Sequence, residues 1–116
     1  MWTTEAVSLL EKFCEENNIA FEFSHFVEKV TPPFMAYFLE NTDNFSADNK
    51  VYYSVYELEI ELYTRSNTLE IEHALEQFLT ANGFIWEKNA QQWNDEEKVM
   101  MSSYSLGEFG NYVDQD

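Results

Sequence analysis

Three glutamates at alternate positions, Glu57, Glu59 and Glu61, are the residues of this sequence best spaced for chemistry. Alternate side chains of an extended strand share one face, so the sequence predicts a row of carboxylates. Paired carboxylates can transfer protons or bind a divalent cation. Neighbours in the row stand roughly 7 Å apart, so one cation would need a ligand from another element. Three interpretations stay open: a solvated sheet face, an acidic lining within an assembly, and a catalytic or metal-binding pair.

The other candidates for chemistry are one cysteine and two histidines. Cys14 falls on the apolar stripe of a predicted helix, which is typical of a buried, unreactive thiol. His25 and His73 are not spaced for metal binding, and Glu72 and His73 point about 100° apart on a helix. A glycine-rich phosphate loop, a GxSxG motif and a CxxC motif are all missing from the sequence. The sequence therefore predicts neither an enzyme nor a cofactor or metal site.

The charge balance restricts the partners of this chain. The sequence has 22 acidic residues against 6 basic ones, a formal net charge of −16. Binding to a phosphate backbone needs Lys and Arg, so direct contact with nucleic acid or an anionic membrane is disfavoured. The charge suits a surface that repels passing DNA, a surface that mimics DNA in a basic groove, or solubility alone. No apolar run reaches the roughly 20 residues of a membrane helix, and the first residues lack a basic signal-peptide region, so we expect cytoplasmic synthesis.

The elements that must position the glutamate row follow from the periodicity of apolar residues. The pattern predicts helices over 2–18 and 65–82, strands over 19–26, 34–39, 51–64, 84–88 and 98–106, and polar loops over 41–50 and 89–97. Tyr56, Leu58, Ile60 and Leu62 form the apolar face opposite the row. This order indicates an α+β fold, with a mostly antiparallel sheet of about five strands and two helices packed on one face. We expect residues 1–106 to form one domain and residues 107–116 to form an acidic C-terminal tail.

Aromatic residues make up 17% of the chain, and several fall outside the predicted core. Phe45 and Trp93 lie in predicted polar loops, and the adjacent Tyr52 and Tyr53 cannot both face the core. Such residues are favoured at protein interfaces, although capping the ends of a small core is an equal alternative. The candidates for an assembly interface are Asp43, Asn44, Phe45, Asp48, Tyr53 and Trp93.

The segment 32–104 resembles the tail terminator, or tail completion, proteins of siphophages and prophages. The similar parts are the Pro32–Pro33 turn, the TDNFSADNK segment at 42–50, the ELYT strand end at 61–64 and the FIWEK segment at 84–88. The first helix and the residues after Gly107 show no motif shared with that family.

The resemblance implies a sheet with two helices and assembly into a homo-hexameric ring. Such a ring caps the tail tube in the virion, stops its polymerisation and joins it to the head, leaving a channel for DNA. The implied partners are the major tail tube protein and the head-closure or connector protein, with DNA passing without specific binding. Glu57, Glu59 and Glu61 are then candidates for lining the channel. The alternative function is an acidic immunity protein or DNA mimic that inhibits a nucleic-acid-binding enzyme.

Overall fold

The chain folds into two helices and five strands. The computed structural model describes residues 1–26, 28–47 and 50–112, without the side chains of residues 41–47, 50–54, 111 and 112. In chain order the elements are α1 (Thr3–Glu16), β1 (Ala20–Phe23), β2 (Phe34–Ala47), β3 (Lys50–Thr64), α2 (Thr68–Ala81), β4 (Glu87–Asn94) and β5 (Val99–Tyr112). The strands form one sheet in the order β1-β2-β3-β5-β4, in which only the β1–β2 pair is parallel. The predicted α+β fold and the number of strands are confirmed.

The core forms around the apolar face of the central strand β3. Leu58, Ile60 and Leu62 are fully buried, which confirms the predicted face, whereas Tyr56 is only partly buried. The same hydrophobic cluster includes residues of both helices, namely Ala6, Leu10, Phe13 and Cys14 of α1 and Leu75 and Leu79 of α2. The two helices also contact each other, because the rings of Phe13 and Phe78 lie 4.8 Å apart.

The strand β5 extends well beyond its predicted end at residue 106. It continues to Tyr112, so residues 107–112, predicted as part of an acidic C-terminal tail, belong to the sheet. The strand passes a one-residue bulge, since Glu57 and Glu59 pair with Glu108 and Ser105. Gly107 adopts a φ of 96° at this bulge, a conformation that favours glycine. Residues 113–116 lie outside the described part of the chain.

The N-terminal end of α1 is attached to the far end of β5. The Thr3 hydroxyl lies within hydrogen-bonding distance of two backbone oxygens, those of Phe109 at 3.2 Å and Gly110 at 3.0 Å. Trp2 forms a parallel bridge with Gly110. These contacts join the start of α1 to the part of β5 beyond the bulge.

The predicted loop over 41–50 is wrong. The strand β2 runs to Ala47 and β3 begins at Lys50, so most of this segment forms the arms of a long hairpin. The pairing contains two register shifts, between Asn41 and Asp43 and between Phe45 and Ser46. Bulges of this kind accommodate residues with low strand propensity, because the backbone hydrogen bonds to the partner strand outweigh local preference.

The predicted strand over 84–88 and the loop over 89–97 are also misplaced. The strand β4 spans Glu87–Asn94 and pairs with β5 along its length. The helix α2 ends at Ala81, close to its predicted end at 82, and Gly83 follows with a φ of 81°. Three further residues precede β4. Every residue of β4 is exposed, so no apolar alternation marks it in the sequence.

We expect Ile60→Ala to lower the free energy of unfolding by about 3 kcal/mol, because it leaves a cavity beside Leu58 and Leu62. Ile85→Ala is the matched control, since Ile85 is 87% exposed, and should change it by less than about 0.5 kcal/mol. Urea denaturation followed by circular dichroism measures both. Equal losses in the two variants would contradict this assignment of the core.

Candidate acidic lining

The glutamate row lies on the face of the sheet opposite the core. Glu57, Glu59 and Glu61 alternate with the buried residues of β3 and are themselves partly buried. The sheet register adds two carboxylates, because Glu57 pairs with Glu40 of β2 on one side and with Glu108 of β5 on the other. Directly opposed side chains of neighbouring strands stand about 5 Å apart. We call these five glutamates the acidic face.

The carboxylates of the acidic face repel one another. The pKa of Glu59 is raised above its ordinary value of 4.5, first by partial burial and then by the charges of Glu57, Glu40 and Glu61, while a hydrogen bond from Ser105 opposes the shift. The Ser105 hydroxyl also lies 3.4 Å from a Glu57 carboxylate oxygen. In the described part of the chain, no ion pair includes a member of the row. The face therefore concentrates negative charge without compensation from a neighbouring cation.

One end of the row is held in place by aromatic residues. The Tyr63 hydroxyl donates a hydrogen bond of 2.8 Å to a Glu61 carboxylate oxygen. The Tyr63 ring stacks on Phe34, with centroids 4.6 Å apart. Burial, followed by the bond to Glu61 and its charge, raises the pKa of Tyr63 to about 12. Glu61 thus has a fixed orientation, and the tyrosine remains a hydrogen-bond donor at neutral pH.

The acidic face is a shallow surface. A depression of about 200 Å³ is lined by Phe38, Leu39, Glu40 and the row. Over the residues described here, no group of three or more His, Cys, Asp or Glu side chains is arranged to hold a metal ion. The residues around the depression supply acceptors and apolar atoms, an arrangement that can repel anions or accept a basic side chain.

The predicted interface residues separate into two regions. Asp43, Asn44 and Phe45 lie in β2, not in a loop, and Phe45 pairs with Tyr53 of β3, so these four residues share one hairpin. Their side chains, and all of Asp48, are outside the described part of the structure. Trp93 lies at the opposite edge of the sheet, in β4, where its side chain is 48% exposed.

The structure also places the residues that the sequence disfavours for chemistry. Cys14 is fully buried, and its sulfur lies 3.7 Å from that of Met35. Burial and then the charge of Glu11 raise the pKa of Cys14 to about 12, so the thiolate is scarce at neutral pH. His25 and His73 are both exposed.

A buried carboxylate on α2 is the feature that the sequence reasoning missed. Glu72 is only 3% exposed. It accepts hydrogen bonds from Lys88 Nζ at 2.7 Å, Gln91 Nε2 at 2.8 Å and Ser102 Oγ at 2.7 Å. Burial alone would raise the pKa of Glu72, but the bonds from Lys88 and Ser102, the Lys88 charge and the Gln91 bond together lower it.

The periodicity of α2 contained a signal for this site. Glu72 precedes the buried residues Leu75 and Leu79 by three and seven positions, which places all three on one helix face. One turn further on, Glu76 accepts a hydrogen bond of 2.6 Å from the hydroxyl of the buried Tyr104. Burial and this bond raise the pKa of Tyr104. Together these contacts attach α2 to β4 and β5 through polar groups that all have partners.

A search for matching protein families and for matching curated proteins finds no match to this chain. Among the helices of the described residues, none is both long and apolar enough to cross a membrane.

Replacing Glu59 by Gln should stabilise the isolated chain at pH 7 by about 0.5 kcal/mol, because it removes a partly buried charge together with repulsion that solvent partly screens. A carboxyl whose folded pKa is raised loses stability as pH rises through that pKa, so the gain should vanish below pH 4.5. It should also shrink in 1 M salt. Glu96→Gln, in the exposed turn after β4, is the control with the same charge change. An equal gain in stability from Glu96→Gln would contradict repulsion among the carboxylates of the acidic face.

Replacing Lys88 by Met should lower the free energy of unfolding at pH 7 by about 2 kcal/mol, because Glu72 stays buried without its cation. The folded pKa of Glu72 lies below 4.5, so its contribution is complete above pH 4.5 and is lost as pH falls through the folded pKa. The difference between variant and wild type should therefore be smaller at pH 3.

Urea denaturation at pH 7 and pH 3 measures this difference. Lys98→Met is the control, because Lys98 pairs at 2.9 Å with Asp95 where both side chains are exposed, and we expect it to unfold like the wild type. A Lys88→Met variant as stable as this control at pH 7 would show that the buried pair contributes nothing.

Proposed function

We propose that this chain is a siphophage or prophage tail terminator, a structural protein of the virion. It assembles as a hexameric ring that caps the tail tube, stops tube polymerisation and joins the tube to the head around a DNA channel. The observation that supports this role best is the acidic face, five carboxylates gathered on the side of the sheet opposite the core. In this function they line the channel.

Electrostatics explains why a DNA channel uses such a wall. A surface of carboxylates repels phosphates, so DNA moves past without being held. Screening limits this repulsion to about 8 Å at physiological salt, so it acts only in a narrow passage. Partial burial and then the charges of neighbouring glutamates raise the pKa of Glu59, so some repulsion is already present within one copy. Six copies around an axis increase this potential, which makes the lining a destabilising feature of the ring.

The ring must offset that cost through contacts elsewhere. Each copy carries a formal net charge of −16. Large apolar side chains remain exposed away from the acidic face, among them Leu69, Ile85 and Trp93. Such side chains are suited to anchor contacts with ring neighbours, the major tail tube protein or the head-closure protein. The protein functions at the head–tail interface of the virion after synthesis in the host cytoplasm.

A DNA mimic would use the same carboxylates differently. It needs acidic groups on a projecting surface that fits into a basic groove. The depression formed by Phe38, Leu39, Glu40 and the row is slightly concave, which favours a lining. Behaviour as a DNA mimic is therefore the result that would contradict the proposal in the test below.

The test combines the purified chain with the major tail tube protein of the phage that encodes it. Native mass spectrometry and electron microscopy should show six copies capping tube ends, with Glu57, Glu59 and Glu61 facing the axis. The same residues facing outward, or buried against a basic neighbour, would overturn the proposal. So would a stable monomer that ignores tubes and inhibits a nuclease at one-to-one ratio.

A charge-reversal variant tests the lining itself. Replacing Glu57, Glu59 and Glu61 by Lys should leave tube capping intact but hold DNA in the channel, lowering infectious particles at least tenfold. Replacing Glu11, Glu15 and Glu16 of α1 by Lys is the control with the same total charge change. Equal infectivity of the two variants would contradict a channel role.

A further inference from the structure

The strand β4 forms one free edge of the sheet. It is last in the strand order, and β5 is the one strand that pairs with it in the described structure. All of its residues are exposed. Its outer side therefore presents unpaired backbone donors and acceptors, which is the usual template for pairing with another strand.

The usual protections of an edge strand are weak in β4. Its sequence, EKNAQQWN, contains no proline and is neutral, although the whole chain has a net charge of −16. Its lysine, Lys88, does not guard the edge, because its ammonium group binds the buried Glu72. The bulge lies between Lys88 and Ala90, so Ala90–Asn94 is regular. A neutral β4 adds no repulsive charge of its own at the contact, whereas the facing stretch of β2 carries Glu40 and Asp43.

The second free edge lies on the other side of the sheet. The short strand β1 covers only Phe34–Tyr37 of β2, and the bond from Ser24 N to Tyr37 O marks the end of this cover. Among the described residues, no strand pairs with the outer side of β2 from Phe38 to Ala47. This stretch has more residues than the eight of β4, so β4 can pair there without displacing β1. Two register shifts, between Asn41 and Asp43 and between Phe45 and Ser46, interrupt it, and its regular part begins at Phe38.

The strand directions of the two edges are complementary. The strands β2 and β5 are both antiparallel to β3, and β4 is antiparallel to β5. When copies are related by rotation about an axis along the strands, β4 of one meets β2 of the next in antiparallel orientation. The sheet then continues from copy to copy, and the acidic face of every copy points to the same side.

Exposed aromatic residues flank both edges on the core side of the sheet. Trp93 of β4 pairs with Met100 of β5, and Phe23 of β1 pairs with Tyr37 of β2. By register, both rings lie on the side of Ile60, away from the acidic face. Phe23 is 49% exposed, similar to Trp93. Joining the edges brings apolar area from each copy to the same side of the seam.

We infer that copies of this chain associate head to tail by adding β4 of one copy to the Phe38–Ala47 edge of the next. The ring that this contact builds rests on the proposed function, whereas the contact itself depends only on the two edges. A heterologous contact of this kind closes into a ring when the rotation between copies allows it.

Cysteine cross-linking tests the contact. Each test variant carries two Cys substitutions, one at Ala90 or Gln92 and one at Phe38 or Glu40. These positions lie on one face of the sheet, so the different pairs test different alignments of β4 against β2. Oxidation of one such pair, alone or on tube ends, should give a ladder of two to six chains on a non-reducing gel. The control combines Gln77→Cys, on the exposed side of α2, with Glu40→Cys and should stay monomeric. The wild type should also stay monomeric, since Cys14 is buried.

The possible outcomes separate the contact from the ring. A ladder supports the contact, and a ladder without tube capping supports it while overturning the proposed function. Oxidation that stops at dimers, or capped tubes without any cross-link, overturns the contact but does not contradict the proposed ring. If neither cross-links nor capped tubes are found, both the contact and the proposed function are overturned.

Discussion

The alternation of side chains along β3 is the constraint on which the rest of the structure depends. Burying Leu58, Ile60 and Leu62 on one side of the central strand forces Glu57, Glu59 and Glu61 to the other. A shift of register by one residue would bury three carboxylates, so the core itself fixes the acidic face. Repulsion within that face is tolerated because the core determines the register, and the free energy from fully buried aliphatic residues exceeds the cost of a few like-charge pairs.

The sequence could predict the parts of the fold in which local pattern and tertiary structure agree. The two helices, the core face of β3 and the glutamate row follow from periodicity, and each is found close to its predicted place. The hairpin arms could not be predicted in this way. Asn41, Asp43 and Asn44 favour turns locally, but pairing with β3 and two bulges hold them in a strand.

The candidate site was predictable only in part. Spacing along one strand gave the row, but Glu40 and Glu108 join it through register, which a single sequence does not contain. The bulge at Gly107 brings Glu108 opposite Glu57, and nothing around Gly107 predicts a continuing strand. The buried Glu72 was missed for a related reason. Its partners Lys88 and Gln91 lie in β4, whose exposed residues show no strand pattern.

The two free edges have a consequence for the chain in the absence of its partners. A contact between different surfaces of identical subunits has no inherent end, and only the angle between successive copies decides whether it closes. If the twist of the sheet sets an angle that misses closure, the same pairing yields an open helical filament. Under the proposed function, the tail tube would supply the template that selects the closed form, and overproduction without it would favour fibres.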